Sequence, residues 1–201
     1  NSLYLECYVR WQHSTLGKIK REQFWRVAEH IGMTMEIDRF MIDRACQNLR
    51  AWRDSKNEEE RNRRIAINIS ISHVIHSKQL NQLIEKIADT GVAPEKLVLE
   101  IDETHINNRS QQVLTAVQLL KKAGVTLVLD NFGNGMASLN SLCVFPFDYV
   151  KIDRKIIRAL PNSQQSLQLV QSVQQISKNF GFEVIANGIE TSDQCHSIVE
   201  S

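Results

Sequence analysis

The residues of this chain best suited to chemistry lie at the ends of short apolar runs. Leu127, Val128 and Leu129 lead into Asp130 and Asn131, and the glycine-containing stretch FGNG follows. Leu97–Leu99 leads into Glu100, and Ile65–Ile67 into Asn68. YVKID carries Lys151 and Asp153, EVIAN ends in Asn187, and LYLECYV holds Glu6 within it. A carboxylate in apolar surroundings is costly unless it is paired or holds a metal. Oxygen donors without an HxH, HExxH or CxxC pattern suit a hard divalent ion, Mg2+, Mn2+ or Ca2+, rather than zinc. Such an ion favours a phosphate-containing ligand. Lys151 would neutralise a phosphate oxygen or hold a water; a salt bridge inside the carboxylate set is the equally weighted alternative. Taken singly, a polar strand end is usually a solvated edge or a helix cap, so the argument rests on the recurrence. Asn131 is the odd member, a neutral amide where a second carboxylate would be useful.

The elements that must position these residues follow from periodicity. Strands are expected at 3–9, 65–69, 96–101, 126–130, 149–153 and 183–187. Helices are expected near 21–31, 36–53, 78–90, 109–123, 163–180 and 191–200. REQFWRVAEHIG places Phe24, Val27, Ala28 and Ile31 on one helical stripe and stops at Gly32. QQVLTAVQLLKKAG aligns Val113, Val117 and Leu120 and stops at Gly124. The continuous run Leu127–Leu129 marks a strand buried on both faces, as in a parallel sheet. Strand–helix alternation leaves an open doubly wound sheet or a closed barrel, and the absence of GxGxxG and P-loop patterns weakens the former. A full (β/α)8 barrel needs eight units and about 250 residues, so the expected fold is an α/β, TIM-type barrel lacking N- and C-terminal segments. In such a barrel the strand ends converge on the face that carries the active site.

Composition narrows the function classes. The chain has 201 residues with a net charge of +1, which gives no global field toward nucleic acid or anionic membrane. No apolar run approaches a membrane span. Cys7, Cys46, Cys143 and Cys195 are widely spaced and read as reduced, mostly buried thiols of a cytoplasmic protein. SKNEEERNRR (55–64) reads as a solvated connection or a partner contact. Trp11, Trp25 and Trp52 read as core or lining residues, His13 as structural, and Met33, Met35 and Met41 as core fillers.

Six ordered segments resemble a known family. ECYVRWQHSTLGKIKREQF is similar to the opening EALLRW-H-P-x-x-G-x-I-x-P-x-x-F of the EAL domain of bacterial cyclic di-GMP phosphodiesterases. IAINIS is similar to its N-x-S strand, LVLEIDE to L-E-x-T-E, and DNFGNGMASLNSL to D-D-F-G-x-G-x-S-S-L. FPFDYVKIDRKII resembles L-P-x-D-x-L-K-I-D, and EVIANGIET resembles V-I-A-E-G-V-E-T. The resemblance implies an EAL-like barrel over 1–201 as a single domain, excised from a larger multidomain signalling protein that itself could be membrane-anchored. It implies that Glu6, Asn68, Glu100 and Asp130 hold a first metal. Lys151 would contact the hydrolytic water or phosphate, and Glu103 would steady the loop after Asp130. Arg10 and Asp153 would contact the nucleotide, with Tyr8, Asn131, Asn187 and Glu190 bordering it.

The departures from the pattern decide the functional expectation. Glu6-Cys7-Tyr8 stands where the family has Glu-Ala-Leu, so Tyr8 reshapes the pocket. Asn131 stands at the family's second Asp, which the resemblance implies is a ligand of a second metal, and Asn187 at the glutamate that helps bind metal and activate water. Gly133 and Gly135 are kept, while Met136 and Ala137 replace Tyr and Ser. An amide brings no charge and cannot accept a proton from an attacking water as a carboxylate does. The expected cofactor is therefore one Mg2+ or Mn2+ ion at most, with Ca2+ as the alternative ion and no ion as the limiting case. The expected function is a catalytically inactive receptor for cyclic di-GMP. The alternatives are an altered phosphodiesterase yielding pGpG and a nucleotide-independent protein-interaction module. The resemblance also implies a homodimer through the loop after Asp130 and a linked sensory or cyclase-like domain.

Overall fold

The structure is a computed structural model that describes residues 4–106, 110–134 and 139–199. In chain order its elements are β1 (Leu5–Cys7), β2 (Trp11–His13), β3 (Gly17–Ile19), α1 (Arg21–His30), α2 (Thr34–Arg53), α3 (Glu58–Arg61), β4 (Ile65–Asn68), α4 (Ile71–Ile75) and α5 (Ser77–Asp89). There follow β5 (Leu97–Asp102), α6 (Ser110–Lys122), β6 (Thr126–Phe132), α7 (Leu139–Val144), β7 (Tyr149–Ile152), α8 (Arg154–Arg158), α9 (Gln164–Phe180), β8 (Glu183–Ala186) and α10 (Ser192–Val199). The sheet order is β1-β4-β5-β6-β7-β8, and the pairs β1–β4, β6–β7 and β7–β8 are parallel. The chain divides into two compact units, residues 1–99 with 122–126, and residues 100–121 with 127–201.

In the first unit, Ile65, Ala66 and Ile67 of β4 are buried against α2, whose inward stripe is Thr34, Asp38, Ile42, Ala45, Cys46 and Leu49. That stripe follows the helical repeat, and Asp38 is the acid on it. In the second unit, Leu127, Val128 and Leu129 are buried, as the unbroken apolar run predicts for a strand covered on both faces. Val113, Ala116, Val117 and Leu120 of α6 are buried too. Helix α9 starts on the Ser163 cap and ends at Gly181, whose φ of +79° allows the left-handed turn that carries its N–H to Ser177 O.

The expected strands and helices are present, with their ends shifted by a few residues. The expected starts at residue 3 and residue 109 and the end at residue 200 lie outside the described residues. Several elements escaped periodicity because they are too short to show one. The hairpin β2–β3 has three-residue strands, and its turn is held by His13 Nδ1, which accepts from Thr15 N at 3.2 Å and Leu16 N at 3.2 Å. His13 is thus structural, as its position implied. The charged stretch 55–64 is not wholly a loop, since α3 forms on the Asn57 cap with no buried residue. α4 and α8 are likewise short helices between a strand and a longer helix, and α7 is a short helix between β6 and β7.

Some packing expectations are corrected. Phe24 and Ala28 of α1 are buried, but Val27 and Ile31 on the same stripe are exposed, so only part of the stripe is covered. Trp11 on the hairpin is 46% exposed and packs edge-on against His13 and against Phe24 of α1, and Met33 is exposed between α1 and α2. The cysteines are not mostly buried: Cys46 is, Cys7 is half-buried, and Cys143 and Cys195 are exposed. Burial pushes the thiols of Cys7 and Cys46 up, and Asp43 adds to the effect at Cys46. Alkylation near neutral pH should therefore modify Cys143 and Cys195 first and Cys46 only on unfolding, as peptide mass mapping with and without denaturant would read.

Candidate functional site

In the second unit the geometry turns on an extra residue in β6. Leu129 stands opposite Val150 and Phe132 opposite Ile152, so β6 advances three residues where β7 advances two. This bulge falls at Asp130 and Asn131, and Asn131 adopts φ +57°, a left-handed conformation that Asn tolerates better than most residues. Strict alternation would send the two side chains to opposite faces. The bulge instead lets Asn131 Nδ2 reach Asp130 Oδ2 at 3.2 Å and Asp102 Oδ2 at 2.8 Å. Both neighbours are carboxylate oxygens, so the amide must present its NH2 to them. Asp102 is held in turn, because its Oδ1 accepts from Thr104 N at 2.9 Å and caps the 3-10 turn Glu103–His105.

The strands beside β6 supply the remaining charges. Lys151 on β7 is 4% exposed, and its Nζ lies 3.1 Å from Glu100 Oε1, 3.4 Å from Glu100 Oε2 and 3.9 Å from Asp130 Oδ1. The salt-bridge alternative raised by the sequence is thus the arrangement present. Glu103 is fully buried, and its Oε2 accepts from Gly133 N at 3.0 Å. That contact fixes the start of the loop after β6. Gly133 sits at φ +91°, a backbone conformation that favours glycine, and a Cβ there would push aside the terminal methyls of Ile156 and Leu169. The rest of that loop, including Gly135, Met136, Ala137 and the expected dimer contact, lies outside the described residues.

Other expected site residues have local partners. Asp153 is 5% exposed and caps α8 by accepting from Lys155 N at 2.7 Å. Its Oδ1 is therefore engaged as a helix cap, a job the motif alone did not show. Asn187 follows β8, and its backbone N–H donates to Ile152 O at 3.3 Å. Glu190 pairs with Arg158 on α8.

In the first unit Glu6 lies on β1, in register with Ala66 of β4, and the Tyr8 hydroxyl donates to its Oε2. The guanidinium carbon of Arg10 stands 5.3 Å from the centre of the Tyr8 ring, and that of Arg21 5.9 Å, so two cations flank one aromatic ring. Arg21 also approaches the Trp25 ring at 5.4 Å. Tyr8 and Asn68 line one cleft with Arg21, Trp25 and Asp38. Asp38 accepts from Ser70 N at 2.9 Å and from Ser70 Oγ, and His73 Nδ1 lies 3.5 Å from it. This buried acid therefore holds the turn just after Asn68.

Asp38, Arg21 and Asp102 were missed by sequence reasoning. Asp38 was detectable as the one acid on the inward stripe of α2. Asp102 was detectable as the acid standing at the Thr of L-E-x-T-E.

The fit of a divalent cation can be judged from the donor set. Among the described residues no group of three or more His, Cys, Asp or Glu side chains is arranged to hold a metal ion. Each retained carboxylate of the expected ligand set receives a positive or hydrogen-bearing partner: Glu6 from Tyr8, Glu100 from Lys151, and Asp130 from Asn131. The second ion, whose ligand would be residue 131, does not fit an amide turned NH2-first toward Asp130.

Parallel strands with intervening helices, and oxygen donors and a lysine at the strand ends, define a fold of the TIM-barrel type. The model of the EAL domain family matches residues 1–200, and the chain belongs to that family. It is 34% identical over 190 residues to an uncharacterized signaling protein of Caulobacter vibrioides, covering 94% of this chain and 22% of that protein. It is 30% identical to the cyclic di-GMP phosphodiesterase NbdA of Pseudomonas aeruginosa, covering 94% of this chain and 24% of that protein. The chain thus spans under a quarter of the length of these curated relatives. The structure of the PaMucR phosphodiesterase in complex with c-di-GMP superposes with a TM-score of 0.88 at 26% identity, over all of this chain and 80% of that one. The barrel expected from the sequence is therefore the EAL-domain fold. No helix among the described residues is long and apolar enough to cross a membrane.

The Glu103–Gly133 contact makes a local prediction. Glu103→Ala should remove the charged acceptor of the Gly133 N–H and cost about 1.5–3 kcal/mol, whereas Glu103→Gln should keep an acceptor and cost less. Gly133→Ala should be destabilising chiefly through its positive φ. Urea unfolding of the three variants would measure the order.

Proposed function

We propose that this chain is an EAL domain that binds cyclic di-GMP and does not cleave it, passing the bound state to a linked sensory or cyclase-like domain of its parent protein. The observation that carries the reading is Asn131, a neutral amide that donates to Asp130 and Asp102 at the strand end where cleavage would call on a carboxylate. Asn187 at the end of β8 is the second such amide. Two-metal phosphodiester cleavage needs charge to hold both ions and a poised hydroxide. Where the chemistry runs, Mg2+ or Mn2+ would supply Lewis acidity and a low-pKa water, and in the second unit Glu100 and Asp130 would be the acids to hold it. Losing a proton-accepting group is typically worth about 10²–10⁴ in rate, so the loss of two leaves no useful turnover.

Binding makes smaller demands. Exposed Arg10 offers a planar cation to a phosphate, and the Tyr8 ring beneath it offers a face for a guanine base. Lys151, already held between Glu100 and Asp130, keeps a positive charge among the acids. Amides in place of two carboxylates also reduce repulsion toward the phosphates of the ligand. The similarity to NbdA and to the c-di-GMP complex of PaMucR supports the ligand class.

One sample decides between the readings. Calorimetry with cyclic di-GMP, with and without Mg2+, should give a micromolar or tighter affinity. Chromatography after long incubation with Mg2+ or Mn2+ should show no pGpG. Accumulating pGpG would establish an altered phosphodiesterase instead, and absent binding would establish a nucleotide-independent interaction module.

A further inference from the structure

We infer that the Asn131 side chain is a built-in substitute for a divalent cation, bridging Asp130 and Asp102 so that this end of the sheet is held without metal. Asn131 Nδ2 lies within hydrogen-bond distance of Asp102 Oδ2, at 2.8 Å, and Asp130 Oδ2, at 3.2 Å. A bridging cation requires two acceptors converging on one point, and here that point is filled by an amide nitrogen with two protons to give. The bulge in β6 and the left-handed backbone of Asn131 bring the donor to that place. Asp102 is fixed independently by its Thr104 cap, so the acceptor does not drift to suit the amide.

The negative charge at the end of β6 has not simply been lost. Residue 131 is neutral, but Asp102 stands where the L-E-x-T-E pattern has a neutral Thr. A carboxylate has in effect moved across to β5, and the amide ties the two strands together. Restoring an acid at 131 would then set three carboxylates around one point. Without metal they repel; with a hard divalent ion they form a ligand set of higher charge than the wild type offers.

This inference deepens the receptor reading and rests on its claim that the second ion is lost, but its test uses no nucleotide. Thermal unfolding is followed in EDTA and in Mn2+, and Mn2+ affinity is measured by calorimetry. Asn131→Asp should melt below the wild type in EDTA, recover in Mn2+, and bind Mn2+ at least tenfold more tightly. Asn131→Gly accepts the same positive φ and removes only the bridge, so it should also melt lower in EDTA and gain more from Mn2+ than the wild type does. Asp102→Ser keeps a cap for Thr104 and, added to Asn131→Asp, should shrink the Mn2+ gain. The inference is overturned if both residue-131 variants melt in EDTA as the wild type does, or if the wild type binds Mn2+ as tightly as Asn131→Asp. An unchanged Mn2+ response on adding Asp102→Ser would also overturn it by removing Asp102 from the bridge. A missing dinucleotide affinity would end the receptor reading and leave these melting results untouched.

Discussion

The pairing of Lys151 with Glu100 is the constraint around which the second unit is arranged. Both side chains are almost fully buried, at 4% and 1% exposure, and neither charge could be placed there alone. Removing one partner of such a pair leaves an uncompensated buried charge, which is far more costly than the pair itself is favourable. β5 and β7 must therefore hold their register on either side of β6, and Asp130 enters the same field at 3.9 Å from Lys151. Leu127, Val128 and Leu129 can be wholly apolar because the charge is gathered where the strand ends.

Once the charges are gathered there, each needs a local answer. In the second unit Lys151 answers Glu100, the Asn131 amide answers Asp130 and Asp102, and the Gly133 N–H answers Glu103. In the first unit the Tyr8 hydroxyl answers Glu6, and Ser70 answers Asp38. In an environment where unsatisfied polar groups are expensive, these donors rigidify the strand ends. Also in the first unit, Arg10 and Arg21 against Tyr8 bring cationic and aromatic surface together.

Much of this was legible along the chain. The alternation of strand and helix, the continuous run before Asp130 and the polar strand ends follow from spacing and hydrophobicity, and those patterns survive because each element is long enough to repeat its period. Elements of three to six residues, such as β2, β3, α3 and α8, have no period to read and are set by turns and caps such as His13, Asn57 and Asp153. Val27 and Ile31 show the opposite error. Helical spacing places them on a stripe with Phe24 and Ala28, but which part of a stripe is covered depends on the neighbour that packs there.

The sequence by itself determined the residue types: acids at 6, 100 and 130, amides at 131 and 187, a lysine at 151 and a glycine at 133. It also determined that the acids at 100 and 130 are buried, since apolar runs flank them. Only the tertiary structure decided which groups meet. Alternation along β6 predicts that Asp130 and Asn131 face apart, and the bulge overrides it by one residue. That single extra residue is why the amide reaches Asp102, a contact between residues 29 positions apart. Pairing across strands depends on register, which is fixed by the packing of whole elements rather than by the local order of residue types.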